Sequence, residues 1–193
     1  MDSQKVLEAV ASTDLGKALV AFLQKRGAVP AMKEGYLGDG GTRAEFSTNT
    51  PFGNELPKNG MVTFSYGFNP SVPSWRGTAT HELMHAADRQ MLDMYFSRPK
   101  DFWSNQTPTQ FSEAYRKLRL TADPLVAKMP PQYKDAQKDY RLQLNEALAY
   151  GAGMAGGSNA YPVRLPSGGH LNATKATEAS ILLELANRMK ESK

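Results

Sequence analysis

Two histidines four residues apart carry the clearest chemistry in this sequence. His81 and His85 lie in the segment His81-Glu82-Leu83-Met84-His85. On a helix, residues at this spacing project from one face, with roughly 5–6 Å between their Cβ atoms. Both imidazoles can therefore bind one Zn²⁺, each through a nitrogen about 2.0–2.1 Å from the metal. Glu82 projects to the neighbouring side, and the spacing is that of the H-E-x-x-H signature, in which the glutamate is the general base for a metal-activated water.

A chance occurrence of the motif, or a structural histidine pair inside a core, would give the same pattern. Against these interpretations, the chain has only 3 histidines, and both members of the pair come from that small set. The residues that flank the motif are small and uncharged, as close packing around a metal requires: Thr78, Ala79, Thr80, Ala86 and Ala87. The sequence therefore predicts a metal site.

A catalytic zinc site needs three protein ligands and one open position for water, so a third ligand must come from elsewhere in the chain. The chain contains no cysteine, which excludes thiolate ligands, disulfides and a cysteine nucleophile. No histidine follows His85 at the short spacing of an H-E-x-x-H-x-x-G-x-x-H site. The remaining candidates for the third ligand are Glu113, Asp123, Asp139, Glu146 and His170.

Glu146 is the favoured third ligand, because it lies on a strongly periodic predicted helix and a rigid element holds ligand geometry tightly. Asp123 precedes Pro124 in a stretch that we expect to be irregular, and the polar neighbours of Glu113 are typical of a solvated helix face. An unpaired carboxylate on the inward side of the Glu146 helix would be costly.

With Glu146 in place, the sequence resembles the gluzincins, zinc peptidases whose third ligand is a glutamate on a later helix. More narrowly, the motif from His81 to Asp88 and the later Glu146-Ala147-Leu148-Ala149 are similar to the anthrax lethal factor catalytic domain and the bacterial Pro-Pro endopeptidases. In those proteins the two motifs read H-E-x-x-H-A-x-D and E-x-x-A. The resemblance covers residues 61–151.

The resemblance implies an α+β fold, a minimal zincin-like metallopeptidase domain that is mostly helical with a small antiparallel sheet. It implies a zinc metalloendopeptidase acting on a protein or peptide substrate. Zn²⁺ would be held by His81, His85 and Glu146. Glu82 would take a proton from the attacking water and pass it to the leaving amine.

The resemblance also suggests supporting residues. A tyrosine before the ligand glutamate helps to hold the oxyanion in this family, which makes Tyr140 a catalytic candidate. His170 is a second candidate donor to the oxyanion. Asp88 matches the family's aspartate and could support a ligand from behind. Tyr150 stands where the family commonly has a second acid.

The elements that position these residues can be predicted from periodicity and from helix-breaking residues. The motif helix is predicted over residues 74–97, and the Glu146 helix over residues 132–150, with the glycines from Gly151 onward stopping it. Residues 61–68 alternate apolar and polar side chains with β-branched and aromatic enrichment. This pattern predicts a half-buried strand just before the motif helix.

The remaining segments are predicted in the same way. Residues 3–26 should form a helix that Gly16 divides, with Thr13 or Asp14 as the new N-cap. Their apolar face, and that of residues 177–190, should be buried on the core or on a partner. The Gly- and Pro-rich residues 35–60 are predicted as loop or a short β-hairpin.

In the second half of the chain, a polar linker over residues 98–109 is predicted to lead into a helix capped by Thr109, and Pro124 should interrupt the chain. The last helix should begin at Thr174 or Thr177. Its predicted apolar face consists of Ile181, Leu182, Leu185 and Met189.

Length and composition bound the other possibilities. The 193 residues fit one domain with three parts, an N-terminal helical segment (1–30), a metal-site core (61–151) and a C-terminal helix (174–193). The net charge of +4 comes without a clustered basic patch, so no nucleic-acid partner is expected. No apolar stretch reaches membrane-spanning length. The N-terminus has an early acid and no long apolar run, which predicts no signal peptide and a cytoplasmic or virion-associated protein.

Two other functions fit the sequence. The first is a structural component of a phage particle or similar larger protein assembly, with the metal fold serving as scaffold, which the apolar terminal helices would suit. The second is hydrolysis of peptidoglycan cross-links. Zinc content together with the effect of Glu82→Gln separates an enzyme from a scaffold.

Overall fold

The computed structural model describes residues 1–38, 43–48, 56–96, 106–127, 144–158 and 170–189. These residues form six helices and three strands: α1 (Ser3–Val10), α2 (Asp14–Lys25), β1 (Ala31–Gly35), β2 (Ala44–Ser47), β3 (Met61–Ser65), α3 (Pro73–Phe96), α4 (Gln106–Ala127), α5 (Leu144–Ala155) and α6 (Leu171–Arg188). The described part of the chain is mostly helical with one small sheet, which confirms the broad α+β prediction.

The sheet has the strand order β1-β3-β2. β3 pairs with β2 in antiparallel fashion, with Ala44 opposite Phe64, but it pairs with β1 in parallel, with Ala31 opposite Met61. The expectation of an antiparallel sheet was therefore wrong, and the sheet is mixed. A parallel pair needs a long connection, and residues 36–60 provide it while contributing β2 on the other side of β3.

β3 alternates as predicted, with Val62 and Phe64 fully buried and the other three residues half-buried. It ends at Ser65, three residues before the predicted end. The buried face belongs to the same apolar cluster as the inner side of α3. The strand that contacts the motif helix is β2, the neighbour of β3.

α1 and α2 meet at a tight turn that Gly16 permits, as predicted. A Cβ at Gly16 would lie 1.9 Å from the carbonyl oxygen of Val10. The hydroxyl oxygen of Thr13 accepts a hydrogen bond from the Gly16 N–H at 3.2 Å, which caps α2. The apolar faces of both helices are buried, through Val6, Leu7, Val10, Leu15, Leu19, Phe22 and Leu23.

α6 differs from its prediction at its start and in its face. It begins at Leu171 with His170 as N-cap, ahead of both predicted threonines. Ile181 is 48% exposed, so placing it on the buried face was wrong. The buried face consists instead of Ala179, Leu182, Leu183 and Ala186, which follow the helical period. The other end of α6 is tied to α2, because the Asn187 side-chain amide donates to the Ala18 carbonyl at 3.1 Å.

Two helix ends also differ from expectation. α4 begins at Gln106, inside the predicted linker, and runs through Pro124 to Ala127. A proline removes one helical hydrogen bond, and here it does not end the helix. α5 continues through Gly151 and Gly153 to Ala155, so the expectation that Gly151 stops it was wrong. The predicted first part of that helix, residues 132–143, lies outside the described residues. No helix in the described ranges is long and apolar enough to span a membrane.

Candidate metal centre

α3 carries the motif and presents it between two different neighbours. Its inner side is buried in the core through Ala79, Leu83, Met84, Ala86, Ala87 and Met91. His81 and His85 lie one turn apart on another side and are half-buried. Because each helical residue turns about 100°, Glu82 emerges between the core and the histidine face. One side of α3 therefore packs in the core, and another carries the candidate metal ligands.

The side chain of Glu146 comes to both histidines. Its Oε2 lies 3.5 Å from His81 Nε2, its Oε1 lies 3.5 Å from His85 Nε2, and the two Nε2 atoms are 3.1 Å apart. A tetrahedral zinc with bonds of about 2.0–2.1 Å separates its ligand atoms by about 3.3 Å. Ligand atoms of the three residues all lie within 4.8 Å of one another. The spacing fits a single ion.

Glycines let α5 lie directly against α3. A Cβ at Gly77 would sit 2.2 Å from the backbone nitrogen of Ser158, just after α5. A Cβ at Gly153 would sit 3.2 Å from the Cβ of His81 and 3.0 Å from the Gly77 carbonyl oxygen. The contact places the backbone of α5 against the turn that carries His81. Glu146, two turns before Gly153 on α5, is thereby held over the histidine pair.

The Oε2 atom of Glu146 indicates whether His81, His85 and Glu146 suit a metal ion. Oε2 is buried and has no hydrogen-bond donor among the described residues. A buried carboxylate oxygen without a partner is costly, and a cation bound between the two imidazoles and this carboxylate would satisfy it. Two imidazoles and one carboxylate are also the donor set that zinc takes in peptidase sites. The residues present fit the ion.

Electrostatics within the metal-free group follow from the same proximity. Burial alone would raise the pKa of Glu146, but the imidazoles of His81 and His85, whose Nε2 atoms lie 3.5 Å from its oxygens, outweigh it and lower the pKa from 4.5 to about 2. Burial alone would lower the pKa of His85, but hydrogen bonding and charge from Glu146 outweigh it and raise that pKa above 6.5. The carboxylate therefore stays ionised at neutral pH, as a ligand must.

Glu82 is held from the sheet side. Its Oε2 accepts a hydrogen bond from the backbone N–H of Phe46 in β2 at 2.8 Å, and its Oε1 lies 4.0 Å from His81 Nε2. The residue is only 7% exposed. Burial raises the pKa of Glu82, against the lowering effects of His81, His85 and the Phe46 N–H. A carboxylate whose protonated form is favoured in this way is suited to receive a proton.

Two contacts of the motif helix were not predicted. The ring of Tyr150 lies edge-on to the His81 ring, with centroids 4.6 Å apart and a 70° interplanar angle. Its position four residues after Glu146, which puts both on one face of α5, was the available signal. The hydroxyl of the buried Tyr115 in α4 donates to Asp88 Oδ1 at 2.9 Å. No pattern in the sequence predicts the contact between Tyr115 and Asp88.

The other predicted site residues are Tyr140, His170 and the alternative candidates for the third ligand. Tyr140 and Asp139 lie outside the described residues, and so does the side chain of Asp123. His170 caps α6, is half-buried and is absent from the group within 4.8 Å, so its contribution to an oxyanion stays a prediction. Glu113 is exposed on α4, as its polar neighbours indicated.

Comparisons of the chain with protein-family models, with curated proteins and with solved structures gave no match. The resemblance to gluzincins therefore depends on the two short motifs. In the structure, His81, His85 and Glu146 lie within reach of one ion, and Glu82 is held beside His81.

Proposed function

We propose that this chain is a zinc-dependent metallopeptidase with a gluzincin-like ligand set. The observation that carries the proposal is the convergence of three ligand atoms from two helices, with a second carboxylate, the buried Glu82, held beside them. His81 and His85 alone would arise from any helix that contains the motif. Glu146 lies 61 residues after His85 in sequence, so its position is a tertiary arrangement and not a local one.

The residues divide the chemistry between them. His81, His85 and Glu146 would hold Zn²⁺, which when bound polarises a carbonyl oxygen and lowers the pKa of a coordinated water. Glu82 takes the proton of the attacking water on Oε1, the oxygen that does not accept from Phe46. It then passes that proton to the nitrogen of the leaving amine. The low exposure of Glu82 limits competition from bulk water.

A peptide substrate is supported by the strand next to Glu82. The Ser65 N–H donates to the Arg43 carbonyl, which sets the pattern of hydrogen bonds between β2 and β3. In an antiparallel pair, only every second residue directs its backbone N–H and C=O to the partner strand. Ala44 and Phe46 are the residues of β2 whose backbone groups point away from β3. Except for the Phe46 N–H, which donates to Glu82, these outward groups lie at the edge of the sheet beside the site. An extended peptide can pair with such an edge.

A structural role on the same scaffold is less well supported than it was from sequence. The apolar faces of the terminal helices suggested burial in a larger assembly. Those faces are buried in the protein's own core, apart from Ile181. Their apolarity therefore needs no partner to account for it.

The test is zinc content and peptidase activity of the wild type beside Glu82→Gln. We expect about one zinc per chain in both proteins, because Glu82 is not a ligand. Peptidase activity on an unstructured protein such as casein should fall by roughly three or more orders of magnitude in the variant. His81→Ala and His85→Ala should lose the zinc. A wild-type chain that takes up no zinc from a buffered solution would overturn the proposal.

A further inference from the structure

We propose that the edge of β2 is a positioning device for the general base, in which the backbone N–H of Phe46 fixes the Glu82 carboxylate so that one oxygen faces the metal-ligand group. This inference rests on the proposed function, since it assigns a role within that reaction. The positioning group is a main-chain amide. It acts through Glu82 and would not itself touch the substrate.

The pairing of β2 with β3 does not use the Phe46 N–H. Arg43 accepts from Ser65, and alternation in an antiparallel ladder then directs the Glu45 and Ser47 amides to β3. The Phe46 amide points the opposite way. It meets Glu82 Oε2 at 2.8 Å, a normal length for a hydrogen bond to a carboxylate.

The arrangement separates the two oxygens of Glu82. Oε2 is tied to the strand, while Oε1 lies 4.0 Å from His81 Nε2 on the side of the ligand group. A glutamate has three rotatable bonds, and a general base loses effectiveness when it is misplaced by about 1 Å. A hydrogen bond from a fixed strand restricts that freedom at the end of the side chain, where its position matters most.

The first experiment measures the hydrogen bond without activity or metal. In the metal-free protein, amide hydrogen exchange followed by NMR should show a protected Phe46 amide, although it points away from its neighbouring strand. Glu82→Ala should speed its exchange by roughly tenfold or more. Glu82→Gln should keep the protection, because the Gln carbonyl still accepts. The Glu45 amide, bonded to β3, is the internal control and should not change. Unchanged protection of Phe46 in Glu82→Ala would overturn the inference.

The second experiment asks whether this hydrogen bond serves the reaction. Phe46→Pro removes the N–H at a position where an edge strand tolerates proline, and Phe46→Ala removes the side chain but keeps the N–H. With zinc content equal, kcat should be about 10- to 100-fold lower in the Pro variant than in the Ala variant, with similar KM. Equal kcat in the two variants would overturn the positioning role. Zinc-loaded wild type without peptidase activity would overturn the proposed function and this role together, whereas the exchange result decides the hydrogen bond alone.

Discussion

The metal ligands and the general base lie on adjacent sides of α3 but are held by different kinds of contact. On one side, α5 approaches through Gly77 and Gly153 until the helix backbones touch, and this brings Glu146 to the histidines. On the other, a single amide of a short edge strand holds Glu82. The first contact is extensive and depends on side chains being absent. The second contact is one hydrogen bond, whose donor is a backbone N–H and not a side chain.

This difference separates two expected kinds of failure. Damage to the α3–α5 contact should remove the metal and weaken the fold, because the same packing does both. Damage to the β2 contact should leave metal and fold in place and slow the reaction. The variants below test that division, beginning with the change expected to have the largest effect.

Gly77→Ala should cause the largest loss. Its new Cβ would lie 2.2 Å from the Ser158 nitrogen, and a backbone atom cannot rotate out of the way. α5 must move away from α3, which separates Glu146 from His81. We expect unfolding free energy to fall by roughly 3 kcal/mol or more and zinc affinity to fall at least about 100-fold, measured by urea unfolding and chelator competition. Thr78→Ala, at the next position of α3, is the control and should retain both.

Glu146→Gln should weaken zinc binding by about 100-fold while the fold persists, because an amide oxygen is a poorer ligand than a carboxylate. Glu113→Gln is the matched control, since Glu113 is an exposed glutamate that was also a candidate ligand. Chelator competition on the purified proteins gives both affinities. Similar zinc affinity in the two variants would remove Glu146 from the ligand set and leave the histidine motif on its own.

The sequence predicted the parts of the site that are local. The spacing of His81 and His85 fixes their common face once a helix forms, and the periodicity around Glu146 placed that residue on a helix turned inward. The approach of α5 was not predictable in the same way. Gly151 and Gly153 were interpreted as helix stops, because a glycine that ends a helix and one that admits a neighbouring helix look alike in sequence.

The unpredicted parts are non-local or lie in the backbone. The parallel pairing of β1 with β3 depends on a connection of residues 36–60, whose pairing no short-range pattern specifies. The Phe46 amide leaves no trace in the sequence, because every residue except proline has such a group. The face of α6 was misplaced at Ile181 because residues 177–190 hold several apolar side chains, and the packing on α5, α2 and α4 decides which of them are buried.

In the metal-free protein, the Glu146–His85 pair should give stability a characteristic pH dependence. The lowered pKa of Glu146 contributes stability that is present above pH 4.5 and is lost as the pH falls towards about 2. The raised pKa of His85 contributes stability that is present below pH 6.5 and is lost as the pH rises through its folded value. The advantage of wild type over Glu146→Gln should therefore be greatest between pH 4.5 and 6.5.

Urea unfolding of both proteins in chelator, across that window and on either side of it, measures this advantage. Glu82, whose pKa burial raises, is present in both proteins and largely cancels in the difference. An advantage that keeps rising above pH 6.5 would contradict the ion pair. It would mean that the carboxylate of Glu146 is held by something other than the charged imidazole.

The smallest effect is expected for substitutions of Tyr150. They test whether α5 orients His81 as well as supplying the ligand Glu146. Its ring lies edge-on to His81 at 4.6 Å. Aromatic contacts of this kind are worth about 0.5–1.5 kcal/mol, so Tyr150→Leu should weaken zinc binding by roughly 2- to 10-fold. Tyr150→Phe keeps the ring and should bind zinc as the wild type does. An equal loss in the Phe variant would assign the effect to the hydroxyl group, and no loss in either variant would show that the ring contact does not contribute to zinc binding.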